Sequence, residues 1–98
     1  MAFVSLIAKQ TYCKVIREVN SLEQKDTEQT RTMYLYDDRV VTQYREFKIH
    51  DVLDISYRFI GDDGGLLYLH TINGVYPYIV KSSPKAFVEA FKEFRKTL

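Results

Sequence analysis

Between Thr32 and Val80 apolar residues recur at alternate positions in short runs, and turn-forming residues separate most of these runs. A two-residue period sends successive side chains to opposite faces of a strand, so this stretch reads as a succession of short β elements. Strands are expected over 33–36 and 39–44, joined by Asp37-Asp38, whose carboxylates suit a tight turn. Residues 47–49 extend the second arm, and His50-Asp51-Val52 forms a corner. The segment 53–60 sets Leu53, Ile55, Tyr57 and Phe59 against Asp54, Ser56 and Arg58. Gly61-Asp62-Asp63-Gly64-Gly65 is a turn free to take positive φ. Strands over 66–71 and 75–80 then flank Asn73-Gly74, which predicts a two-residue primed turn with both residues at positive φ.

The chain ends differently. Ser82-Ser83-Pro84 supplies N-cap residues followed by proline, which fits the first position of a helix. Phe87, Val88, Phe91, Phe94 and Leu98 lie on one stripe, predicting a helix over 83–98 of about four turns. Such a helix can cover the open end of a small barrel or sandwich. At the other end, Lys9-Gln10-Thr11 divides a Val-, Ile- and Tyr-rich stretch into strands over 3–8 and 12–19. Tyr12, Val15, Ile16, Val19 and Leu22 also form a helical stripe, so a helix is the rival for 12–19; β-branched residues favour strand. Residues 20–31 (NSLEQKDTEQTR) hold Leu22 as their one apolar side chain and read as a solvated loop or short surface helix.

Ninety-eight residues are one domain's worth of chain. Fourteen Lys and Arg against thirteen Asp and Glu leave a net charge of +1, which argues against a protein that coats DNA. One cysteine excludes an intrachain disulfide and a Cys-rich zinc site. The apolar run 2–8 is far shorter than the roughly 20 residues of a membrane-spanning helix, and no targeting pattern surrounds it. A cytoplasmic location is the expectation.

From Thr32 onward the chain resembles the bacterial branch of the pleckstrin-homology-like domains. The resemblance is carried by MYLYDDRVV (33–41), KIHDVLDISY (48–57), LLYLHTINGV (66–75) and YIVKSSPKAFVEAFKEF (78–94). It implies a single domain over 1–98. The fold would be mainly β, a seven-stranded bent sheet or partly open barrel capped by one C-terminal helix. Relatives of that kind bind lipids, peptides or proteins. Where they hold inositol phosphates through basic residues near the first hairpin, this chain offers Lys9, Lys14 and Arg17.

Residues able to do chemistry are few. Cys13 has no evident base beside it and shares a face with Val15 and Val19, which suits a buried thiol. His50 and Asp51 are adjacent, so on a strand they would point apart; at a corner they suit turn bonding. His70 can hydrogen-bond across its hairpin, whereas a metal would require further ligands. Asp37-Asp38 and Asp62-Asp63 lack the spaced acidic loop that gives calcium its six or so oxygens. Gly61–Gly65 has no Lys-Ser/Thr continuation into a helix, so it does not read as a phosphate cradle. The expectation is therefore a non-enzymatic module without cofactor, metal or small-molecule substrate.

The tyrosines carry the functional signal. Tyr76 and Tyr78 alternate with Val75, Pro77 and Ile79, and Tyr34 and Tyr36 alternate with Met33 and Leu35. A sheet apolar on both faces needs cover on both, and tyrosine suits protein interfaces. Pro77 further suits an edge strand. These four tyrosines are the expected contact to a partner protein or a second copy. Binding to an anionic membrane through Lys9, Lys14 and Arg17 is the first alternative, and single-stranded nucleic acid on the tyrosine face the second.

Overall fold

The computed structural model describes residues 5–19, 24–61 and 64–98, with backbone alone for 15–19 and 24–27. Positions 3 and 4 of the first expected strand, Leu22 of the rival helical stripe and Asp62-Asp63 lie outside the described residues. So do the side chains of Val15, Arg17 and Val19. The elements are β1 (Leu6–Val19), β2 (Gln24–Tyr36), β3 (Arg39–Val41), β4 (Glu46–Lys48), a 3₁₀ turn (Ile49–Asp51), β5 (Val52–Phe59), β6 (Gly65–Thr71), β7 (Gly74–Val80) and α1 (Lys85–Arg95). The strands form one antiparallel sheet in the order β4-β3-β2-β1-β7-β6-β5. It is an open, bent sheet with one C-terminal helix, the expected class.

Expectation and structure part at the first hairpin. The Lys9-Gln10-Thr11 break is absent, because β1 runs through it with Lys9, Gln10 and Thr11 opposite Tyr34, Met33 and Thr32. Gln10 occupies a buried position there and satisfies its amide by donating to Ser82 Oγ at 3.3 Å and to the Thr11 carbonyl at 3.1 Å. The loop or helix expected over 20–31 is instead strand from Gln24 on. Its partner β1 pairs with it as far as Val19 opposite Gln24. A backbone ladder needs no apolar side chains where both faces meet water, and Glu28, Gln29 and Thr30 are exposed.

Smaller corrections have local causes. The arm expected over 39–44 stops at Val41, and 46–48 folds back on it as β4, with Val40 opposite Phe47. Thr42 N–H donates to the Arg45 carbonyl at 2.8 Å and closes the turn between them. In β5 a register shift between Val52 and Asp54 puts Val52 in the core and leaves Leu53 45% exposed. Phe59 is also exposed, so Ile55 and Tyr57 alone keep the expected inward set. The β6–β7 turn is Ile72-Asn73, with Thr71 paired to Gly74. Gly74 has φ 129° while Asn73 does not have positive φ, because Thr71 Oγ holds the turn by accepting from Asn73 N–H at 3.1 Å.

Pro84 is the N-cap of α1 and not its first residue, so the helix begins at Lys85, later than expected. Its carbonyl accepts from Val88 N–H at 2.9 Å, and Ser83 Oγ accepts from Lys85 N–H at 3.3 Å. Phe87, Val88 and Phe91 are buried and Phe94 packs partly against the core. Leu98 lies beyond the helix and is 56% exposed, so the stripe ends at Phe94. The helix lies against β1 and β5, and its rings join Met33, Leu35, Ile55, Leu67 and Leu69 in one core.

Phe91→Ala should destabilise the protein by about 3–5 kcal/mol and lower its melting point by more than roughly 10 °C. An unchanged thermal midpoint would remove α1 from the core. At the β6–β7 turn no atom crowds a side chain on Gly74, so its cost is purely conformational. Gly74→Val should cost about 1–2 kcal/mol in urea melts while Asn73→Ala stays within about 0.5 kcal/mol. Equal effects at the two positions would contradict this turn.

Candidate functional site

Strand alternation builds the most chemically distinctive feature of the molecule. In β1 it turns Gln10, Tyr12 and Lys14 to the concave face; in β2 it turns Arg31, Met33 and Leu35 the same way, with Tyr12 opposite Arg31. Met33 and Leu35 are core, so Tyr12 marks the edge of the core and Lys14 and Arg31 stand just outside it. The turn 42–45 is pinned here because Tyr12 Oη accepts from Gln43 N–H at 3.1 Å. Tyr78 enters from β7, its ring 5.0 Å from that of Tyr12 at 72°.

These residues line a cleft of about 350 Å³ between β1, the 42–45 turn and β7. Three tyrosines wall it together with Pro77 and Ile79, and the charges among its described lining residues are all positive. Lys14 Nζ lies 4.9 Å and the Arg31 guanidinium 5.3 Å from the centre of the Tyr44 ring. Arg45 stands 4.8 Å from the Tyr76 ring, which packs on Phe47 at 5.1 Å. Arg31 donates to Gln29 Oε1, yet among the described residues its buried Nε finds no hydrogen-bond partner. None of the described lining residues is acidic. Burial raises the Tyr78 phenol above its ordinary pKa, opposed by a hydrogen bond with Thr42.

The expected site residues divide. Tyr78 and Lys14 line the cleft, and Tyr76 adjoins it beneath Arg45. Their orientation on β7 differs from the expected one. Tyr76 and Tyr78 turn inward onto the core, half-buried, while Val75, Pro77 and Ile79 are the exposed set. Nor is β7 an edge in strand order, since it lies between β1 and β6. Tyr34 and Tyr36 lie on the convex face of β2 with rings 6.2 Å apart, away from the cleft. Lys9, opposite Tyr34, shares a polar hollow with it, so Lys9 and Lys14 project from opposite faces of β1.

The other reactive side chains are tied up locally. Cys13 is buried opposite Ile79 and is the one of these groups that also lines the cleft. Desolvation raises its thiol pKa first, and the neighbouring Glu28 carboxylate raises it further. His50 is exposed in the 3₁₀ turn, and Asp51 serves that corner through its backbone carbonyl, which accepts from Ile72 N–H at 3.0 Å. His70 Nε2 and Ser56 Oγ lie 2.7 Å apart, joining β6 to β5. No cleft adjoins that pair among the described residues, and it ties two strands together. Among the described residues no three His, Cys, Asp or Glu side chains are placed to hold a metal.

Arg31, Tyr44 and Arg45 escaped notice in the sequence. Arg31 falls in a polar stretch, and Tyr44 ends what reads as a strand. One signal was present: the two-residue period Arg31, Met33, Leu35 extends the core face of β2 outward to a cation.

A thiol of raised pKa has little thiolate near neutrality. At pH 8 Cys13, buried and with its thiol pKa raised, should therefore react with iodoacetamide more slowly than free cysteine, and at the free rate in guanidinium. Rapid alkylation of the folded protein would contradict this environment.

No protein-family model, curated protein or solved structure matches this chain, so the cleft's own chemistry is what bears on its ligand.

Proposed function

We propose that this chain is a non-enzymatic, cytoplasmic interaction module of the pleckstrin-homology-like kind that binds a partner protein at the tyrosine-walled cleft. One observation carries the reading: Lys14, Arg31 and Arg45 converge on Tyr44 and Tyr76 with no carboxylate among the described lining residues. Cations held over rings, and one buried Nε without a partner among the described residues, suit an anionic ligand with apolar surface of its own. An acidic protein segment has both properties. The element order of seven strands and a capping helix supports the resemblance on which the fold expectation rested. Among the described residues no helix is long and apolar enough to cross a membrane. Lys9 and Lys14 face opposite ways, so they make no single basic patch for an anionic bilayer.

The double variant Lys14→Glu with Arg45→Glu reverses two exposed charges, removes their contacts to the Tyr44 and Tyr76 rings, and should leave the circular dichroism intact. Affinity capture from the native host, followed by reconstitution with the purified partner, should show binding at least tenfold weaker for the variant. Equal binding by the two proteins would move the interface to the Tyr34–Tyr36 face. Co-sedimentation of the wild type alone with phosphatidylserine vesicles, lost at high salt, would favour the membrane reading instead.

A further inference from the structure

The seam between β1 and β7 is the weakest join in the sheet. Their ladder consists of Cys13 opposite Ile79, whereas β6 and β7 pair from Gly65–Val80 to Thr71–Gly74. The two strands are antiparallel, so β1 beyond Cys13 and β7 before Ile79 run out from the bridge on the same side. The next pair on that diagonal would be Val15 opposite Pro77, and it is not made. Proline has no N–H to give to a ladder. Two strand edges therefore leave the bridge side by side without pairing: residues 14–19 of β1 and 74–78 of β7. Among the described residues no other backbone group bonds to the β1-facing side of that part of β7.

The two faces of this notch differ. On the concave side stand Lys14, Arg31 and Arg45 with the tyrosines. On the convex side β7 presents Val75, 55% exposed, then Pro77, then Ile79, 39% exposed. A strand lying in the notch would send alternate side chains to these two faces. We infer that the partner enters as an extended segment of alternating acidic and aliphatic residues, which adds as a strand to the free edge of β7 beside β1. Its carboxylates meet the three cations, and its aliphatic side chains cover Val75, Pro77 and Ile79. On that edge its backbone pairs with the groups that Pro77 leaves available, the Val75 N–H and carbonyl and the Pro77 carbonyl. The inference rests on the cleft being the binding site and adds the conformation and residue pattern of what binds.

The probe is an acetylated, amidated eight-residue peptide alternating glutamate and valine, titrated into the full chain. Nuclear magnetic resonance reports backbone amides, and calorimetry reports affinity. Three comparison peptides carry lysine for glutamate, serine for valine, or N-methyl groups on alternate backbone nitrogens. The glutamate–valine peptide should bind at least tenfold more tightly than each of the three. On binding, the Val75 amide, which faces β1 while those of Gly74, Tyr76 and Tyr78 face β6, should become protected from hydrogen exchange. Lys14→Glu with Arg45→Glu should weaken binding by a similar factor. If the N-methylated peptide binds as tightly and no β7 amide gains protection, strand addition is wrong while the cationic cleft stands. If the serine peptide binds as tightly, the aliphatic half of the pattern is wrong. If the lysine peptide binds as well as the glutamate one, or none binds, the acidic strand is overturned, and loss of partner capture by the charge-reversed variant decides separately whether the cleft is still the site.

Discussion

A three-residue turn sets the shape of this molecule. Ile49–Asp51 joins β4 to β5, and these strands lie at opposite ends of the sheet order. Strands lie about 4.8 Å apart, so a flat seven-stranded sheet would hold its ends nearly 30 Å apart, beyond the reach of such a turn. The sheet has to curl until its ends approach each other. Backbone bonds lock that corner, with Ile49 N–H donating to the Asp38 carbonyl and Ile72 N–H to the Asp51 carbonyl. The curl creates an inside, and Val40, Ile55, Leu67 and Leu69 fill it.

An inside that is not fully closed needs a cover, and α1 supplies one. Phe87 and Phe91 are essentially buried and contribute the largest apolar volumes to the core. The helix lies against β1 and β5 and leaves the cleft between the 42–45 turn and β7 uncovered. Tyrosine is suited to that boundary, since Tyr12 and Tyr78 place rings against the core and keep hydroxyls for Gln43 N–H and Thr42. The cations beyond them rest on the rings of Tyr44 and Tyr76. Fold and proposed function meet here: the incomplete seam between β1 and β7 leaves both the cleft and the free strand edge.

The legible parts of the sequence are those governed by local physics. The Asp37-Asp38 hairpin, the corner at His50-Asp51, the glycine turn ahead of β6 and the phenylalanine stripe of α1 depend on neighbours within a few residues. What was missed depended on distant partners. Polar residues of β2 became strand because β1 lies alongside them, and Lys9-Gln10-Thr11 failed to interrupt β1 for the same reason. Tyr76 and Tyr78 were placed correctly on one face of β7, but the pattern held no information on which face is concave. With Val75, Pro77 and Ile79 opposite them, both faces looked suitable for burial.

By itself the sequence determined the class of fold and the alternation of side chains along each strand, because these follow from backbone geometry and hydrophobic period. It also determined that β1 and β7 could not zip together through Pro77 once brought side by side, since a missing N–H is a property of the residue. Only the tertiary structure decided that they are side by side. It also decided that Tyr12, Arg31, Tyr44 and Tyr78 share one cleft, although the sequence separates Tyr12 from Tyr78 by more than half the chain. Curvature is the reason. Which face becomes concave, and which cations gather at its opening, is settled when all seven strands and the helix bury their apolar surface together, and no local segment encodes that choice.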